Sequence, residues 1–155
     1  ESSAASDVYK RQANSVEQAA ERARLLDDVR GFPEGFATIV GERGITLSGG
    51  QRQRTALGRA LLVSAPVLVL DDALASVDNN TAAAILDSIR TTDGRTIVMI
   101  SHQLSAAAAC DRILVMEQGR IVQQGHHLDL ISTPGVYRRL WERQQAAEQL
   151  DAIAG

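Results

Sequence analysis

The sequence predicts an α/β domain built on a parallel sheet and trailing an antiparallel hairpin. Two continuous apolar runs, VLVLDD at 67–72 and TIVMIS at 96–101, have the composition of strands buried on both faces, the mark of a parallel sheet. Stretches of helical periodicity alternate with them, as the helices of such a sheet must. RILVMEQGRIVQQG at 112–125 reads as two short strands joined by a turn at Gln118 and Gly119.

Taken in order, the elements follow from spacing and breakers. SVEQAAERARLLDDVRGF places Val16, Ala19, Ala20, Ala23, Leu26 and Val29 on one face, so from Ala13 the chain forms an amphipathic helix, stopped by Gly31 and Pro33. Asp27 and Asp28 fall on its solvated side. A glycine-punctuated loop then opens into a helix from about Gly49 to Ser64, ended by Pro66. TAAAILDSIR and SAAAACD are helices after the first and second strands. VYRRLWERQQAAEQLDAIA is a C-terminal helix anchored by Tyr137 and Trp141.

The chain of 155 residues is long enough for one domain with a real core. Its formal net charge of −3 shows no basic excess, which argues against a nucleic-acid partner. Cys110 is the single cysteine and cannot form an internal disulfide, which fits a reducing compartment. No apolar run approaches the length of a membrane span, so the chain itself reads as soluble. Residues 7–12, DVYKRQ, are what GATGTGTATAAGAGACAG encodes, the end of a transposon adaptor. Residues 1–12 are therefore set apart as an artefactual or disordered leader, the other reading being a natural polar helix start.

The chemistry gathers at three places. In LSGGQ, Ser48 stands where a helix N-cap would be, and Gly49 and Gly50 let the backbone approach an anion at the positive end of the helix dipole. Alone, a Ser-Gly-Gly helix start is a plain cap in most proteins. About twenty residues on, the first strand delivers Asp71 and Asp72 at its carboxyl end, where ligands collect in open α/β sheets. An acid there can hold Mg²⁺, and its neighbour can address an attacking water. The second strand ends in Ser101 and His102. His126 and His127 lack companions at metal-ligand spacing and read as structural.

LSGGQRQR, VLVLDD, ASVD and ISH, in this order, resemble the signature motif, Walker B, D-loop and switch histidine of the ATP-binding cassette, the ATPase domain of ABC proteins. The resemblance runs from about Ala13 to Ala147. It implies a partial P-loop NTPase core at 66–155 and a portion of the helical, signature-bearing subdomain at 13–65. It further implies that Ser48, Gly49, Gly50 and Gln51 contact ATP held by a second cassette, in a homo- or heterodimer. Asp71 would organise Mg²⁺, Asp72 would occupy the catalytic-base position, Ser76, Val77 and Asp78 would form the D-loop, and His102 would meet the γ-phosphate. Arg52 and Arg54 are as well explained by helix packing as by phosphate. TIVGERG, Thr38–Gly44, is similar to the loop by which exporter-type cassettes touch their transmembrane domain, which places the cassette at the cytoplasmic face of the membrane. A soluble non-transport ABC ATPase and an inactive interaction fragment are the alternatives.

Two departures from the family pattern matter. No GxxxxGK[ST] phosphate loop occurs in this sequence, nor the adenine-stacking aromatic that precedes it in the family, nor the glutamine loop. The chain thus looks like the C-terminal portion of a cassette, inactive by itself, with apolar sheet surface left open. The residue after Asp71 is normally glutamate in the family. Here Asp72 is one methylene shorter, withdrawing the carboxylate by ~1.5 Å. That implies the degenerate site of an asymmetric pair, the competing reading being catalysis through a rearranged water.

Overall fold

The computed structural model describes residues 15–41, 44–92 and 94–154. The leader at 1–12 and the expected helix start at 13 and 14 lie outside them. The chain divides into two compact units, one running to Ile100 and one from Ser101. The boundary expected at 65/66 therefore falls inside the first unit.

In the first unit, residues 15–22 form α1 and Leu26–Arg30 form α2. The single amphipathic helix expected over this stretch is broken, because Arg24 adopts a left-handed conformation with φ of 52°. The Leu25 N–H donates to the Ala20 carbonyl at 2.8 Å and the Arg24 N–H to that of Glu21 at 2.9 Å, the paired closing bonds of a Schellman end. Glycine usually takes that position, so an arginine there leaves no signal in the sequence. The turn shifts the helical phase and buries Leu25 in place of the expected Leu26. Ala19, Ala20, Ala23 and Val29 are buried as their spacing requires.

A short 3₁₀ turn, Gly35–Ala37, leads into a loop closed by the Ile45 N–H on the Ile39 carbonyl, 3.0 Å. Helix α3 spans Gly49–Leu61 and stops three residues before the expected end. Pro66 disfavours helical backbone at Ala65, and the chain instead turns through Val63, whose N–H reaches the Ala60 carbonyl at 3.2 Å.

Strands β1, Val67–Asp71, and β2, Thr96–Ile100, pair in parallel, with Leu68 opposite Ile97 and Leu70 opposite Met99. Leu68 and Leu70 are buried, but Val67, Val69, Val98 and Ile100, which share the other face, are exposed. The strands expected to be covered on both faces are thus covered on one. An apolar run marks a strand fit to be buried twice, but covering both faces requires elements on both sides. Between the strands, α4 spans Asn79–Thr92 and turns Ala82, Ile85, Leu86 and Ile89 inward at helical spacing.

The second unit contains α5, Leu104–Ala108, strands β3, Ile113–Glu117, and β4, Arg120–Gly125, then α6, His127–Ser132, and α7, Val136–Ala154. Strands β3 and β4 are antiparallel. Gln118 and Gly119 both take positive φ, 49° and 75°, the type I′ geometry that matches strand twist. Ile113, Val115, Leu130 and Tyr137 form the core of this unit, with Leu104, Ile131 and Val136 packed around it.

Tyr137 ties α7 down, as its position in the sequence suggests. Its hydroxyl lies 2.9 Å from Nδ1 of His127 and its N–H donates to the Gln123 side chain at 3.0 Å. His127 also meets Trp141 edge-on, with ring centroids 4.5 Å apart. Burial, and then the neighbouring Cys110, raise the Tyr137 phenol above its ordinary value, so it stays a neutral hydrogen-bonding group. Replacing Tyr137 with Phe is expected to lower unfolding free energy by about 1 kcal/mol. Tyr137→Ala, which also empties the core, is expected to cost about 3–5 kcal/mol. Urea denaturation of the two variants measures the difference.

Candidate functional site

The site of the first unit grows from the first turn of α3. Ser48 is a true N-cap: its Oγ accepts the Gln51 N–H at 3.1 Å, and the Gln51 side-chain oxygen accepts the Ser48 N–H at 2.9 Å. This is a complete capping box. Because Oγ accepts within the cap, its own proton remains to be donated outward. The N–H groups of Gly49 and Gly50 are the other first-turn donors, at the positive end of the dipole. The set is rich in donors, which fits a phosphate oxygen.

Gln51 has a further partner. Its amide nitrogen donates to Asp28 at 2.9 Å, and Arg54 donates to the other Asp28 oxygen at 2.6 Å. Asp28 and Arg54 are largely buried, their side chains 23% and 15% exposed. Asp28 thus holds α2 against the signature helix and is not the solvated charge its spacing suggested. Arg54 resolves to helix packing for the same reason. Arg52 is exposed and reaches the Leu47 carbonyl at 3.2 Å.

At the carboxyl end of β1, Asp71 and Asp72 are both exposed. Asp72 sits in the left-handed region with φ of 43°, which aspartate tolerates better than most residues. Its N–H extends the sheet ladder to the Ile100 carbonyl at 2.9 Å, and its carbonyl accepts the Ala75 N–H at 3.1 Å. Its backbone is therefore pinned on both sides. The turn then brings Ser76 against α3. A side chain on Gly50 would place its Cβ 2.9 Å from the Ser76 carbonyl oxygen, and one on Gly49 would lie 3.4 Å from the Ser76 Cβ. The approach itself demands glycine at Gly50, while a Cβ at Gly49 would meet Ser76 only at ordinary contact distance.

Asp78 caps α4: its carboxylate accepts the Thr81 N–H at 2.9 Å and its carbonyl that of Ala82 at 2.9 Å. The bonds from Thr81 hold its carboxyl below the ordinary value. Its D-loop place is therefore also a structural one, a role the Asp-x-x-Thr spacing could have disclosed.

The first unit thus gathers the signature residues, Asp71, Asp72, Ser76 and Asp78. His102 is exposed and belongs to the second unit, just after Ser101, whose Oγ accepts the Gln103 N–H at 3.0 Å. Among the described residues no group of three or more His, Cys, Asp or Glu side chains forms a metal cage. An Mg²⁺ ion at Asp71 would fit only as one that takes most of its oxygens from phosphate and water, a usual arrangement for that ion.

With its parallel sheet and helices, this mixed α/β arrangement matches a fragment of the ATP-binding-cassette ATPase fold. The comparisons agree: the ABC transporter family matches residues 2–75. The chain is 44% identical over 137 residues to the multidrug resistance-like ATP-binding protein MdlA of Escherichia coli, covering 88% of this chain and 23% of that protein. It is 43% identical over 135 residues to an ATP-dependent lipid A-core flippase of Pseudoalteromonas atlantica, covering 86% and 23%. A solved bacterial Atm1-family ABC exporter with ATP bound superposes with a TM-score of 0.80 at 42% identity, covering 85% of this chain and 24% of that one. The chain spans about a quarter of the length of these relatives. Among the described residues no helix is long and apolar enough to cross a membrane.

The Asp28 network carries a pH signature. Partial burial raises the Asp28 carboxyl, but the bonds from Gln51 and Arg54 and the guanidinium charge outweigh it and hold the group below its usual value. A depressed carboxyl stabilises the fold above the unfolded value, about pH 4, and loses that contribution as pH falls through the folded one. Asp28→Asn is expected to cost about 1–3 kcal/mol at neutral pH. It should also flatten the acid limb of the stability profile, as denaturant titrations at successive pH values would record.

Proposed function

We propose that this chain is part of the nucleotide-binding domain of an ABC exporter, in which ATP binding and hydrolysis at a pair of cassettes drive a substrate across the membrane. The observation that carries this reading is the seating of the signature turn, Ser48–Gly50, on the Ser76 segment that follows Asp71 and Asp72. One face then serves two nucleotides. Ser48, Gly49 and Gly50 donate to ATP held by a partner cassette, while Gln51 holds their cap. Asp71 takes Mg²⁺ in this chain's own site, where the bound ion would neutralise phosphate charge. Ser76 and Asp78 line the crossing between cassettes, and His102 hydrogen-bonds the γ-phosphate.

Asp72 makes the pair asymmetric. The backbone bonds of Asp72 to Ile100 and Ala75 hold the main chain against advancing to make up for the missing methylene. A displacement of about 1 Å can cost about a hundredfold in rate. Turnover then belongs to the partner's site, which this chain's intact signature completes, and the partner is a different cassette. The exposed Ile39 and Val40 support a contact of the loop at 38–44 with the transmembrane domain at the cytoplasmic face. Glu42 and Arg43 of that loop lie outside the described residues.

In the heterodimeric transporter, Asp72→Glu is expected to raise ATP turnover, and Ser48→Arg, which puts a bulky cation on the donor face, nearly to abolish it. Equal and weak effects of the two in an ATPase assay would refute the asymmetry. The 155-residue chain alone, whose sequence holds no phosphate loop, is expected not to bind ATP tightly. Micromolar affinity by calorimetry would overturn that expectation.

A further inference from the structure

Gln53 is a half-buried side chain on α3 that no role has yet been given, and it bonds at both ends. Its amide nitrogen donates to the Asp72 carbonyl at 3.3 Å, and its amide oxygen accepts the Ser76 N–H at 2.7 Å. One glutamine therefore spans the turn from the base position to the D-loop and fastens both ends to the signature helix. The same helix meets Ser76 through the bare backbone of Gly49 and Gly50. We propose that Gln53 is a positioning residue: it locks the Asp72 turn and the Ser76 segment to the signature helix, so that the surface addressing the partner's nucleotide and the carboxylate addressing this chain's own move as one body. The proposal deepens the exporter-cassette reading and rests on it for its kinetic consequence.

The chemistry favours an amide over other side chains. A primary amide donates at one atom and accepts at another about 2.3 Å away, so one glutamine side chain satisfies a carbonyl and an N–H at separate points of the turn. Gln53 sits two residues beyond Gln51, whose amide is spent on Ser48 and Asp28. The two glutamines thus divide the work: Gln51 closes the cap from the α2 side and Gln53 fastens the turn after β1.

The test uses the full-length transporter carrying this chain, with Gln53→Met, which keeps the length but neither bond, and Gln53→Glu, which keeps the acceptor for Ser76. Amide hydrogen exchange of the peptide spanning residues 73–77, without nucleotide, should rise about tenfold in Gln53→Met and stay near wild type in Gln53→Glu. Steady-state kinetics should show kcat lowered by about tenfold or more in Gln53→Met with KM for ATP unchanged, since the side chain touches no nucleotide, and a smaller loss in Gln53→Glu. Unaltered exchange in Gln53→Met overturns the proposal. So does a rise in KM that matches the fall in kcat, or identical losses in both variants, which would mean general destabilisation. If the wild-type transporter hydrolyses no ATP, the exporter reading fails, while the exchange measurement still decides whether Gln53 locks the turn.

Discussion

The seating of the first turn of α3 on Ser76 is the constraint on which the rest of the first unit depends. The Ser76 carbonyl comes so near Gly50 that a Cβ there would meet it at 2.9 Å. Such an approach excludes side chains, and in return it sets the donor end of a helix beside the turn from a strand-end carboxylate pair. Gln53 bonds across the junction, and Gln51, Arg54 and Asp28 brace the helix from the other side. Around this junction the local choices agree: a serine cap, two glycines, two bridging glutamines and an aspartate able to take a left-handed backbone. Such agreement between local preference and tertiary need is what lets one sequence specify one arrangement.

The sheet tells a complementary story. Strands β1 and β2 carry residues fit to be buried on both faces, yet Val67, Val69, Val98 and Ile100 stand exposed on one of them. In the second unit Leu114, Met116, Ile121 and Val122 are likewise exposed on the hairpin. Apolar surface left in water is a source of non-specific association. The chain spans about a quarter of its relatives' length, and in composition its strands are interior strands.

How much was legible in the sequence depended on the range of the interaction that decided each feature. The turn at Gln118 and Gly119 and the extent of α7 follow from local pattern, and the parallel sheet from the apolar make-up of its two strands; all appear. The break at Arg24 did not show, because a left-handed arginine is set by the packing of Leu25 and not by any preference of arginine. Asp28 was misplaced for a related reason. Its spacing in a continuous helix points to solvent, and only the broken helix brings it to Gln51 and Arg54. Gln53 lies within LSGGQRQR, but its identity alone did not disclose its role, since an amide on a helix looks like any polar helix residue until its partners are known.

The order of the motifs, the serine cap, the strand-end aspartates and the shorter arm at Asp72 were determined by the sequence alone, because each rests on residue identity or on neighbours within a few positions. Tertiary structure decided the close approach of Gly50 to Ser76, the bonds of Gln53 and the pairing of Asp28 with Arg54. Those contacts join residues some twenty or more positions apart, and only folding brings such residues within bonding distance.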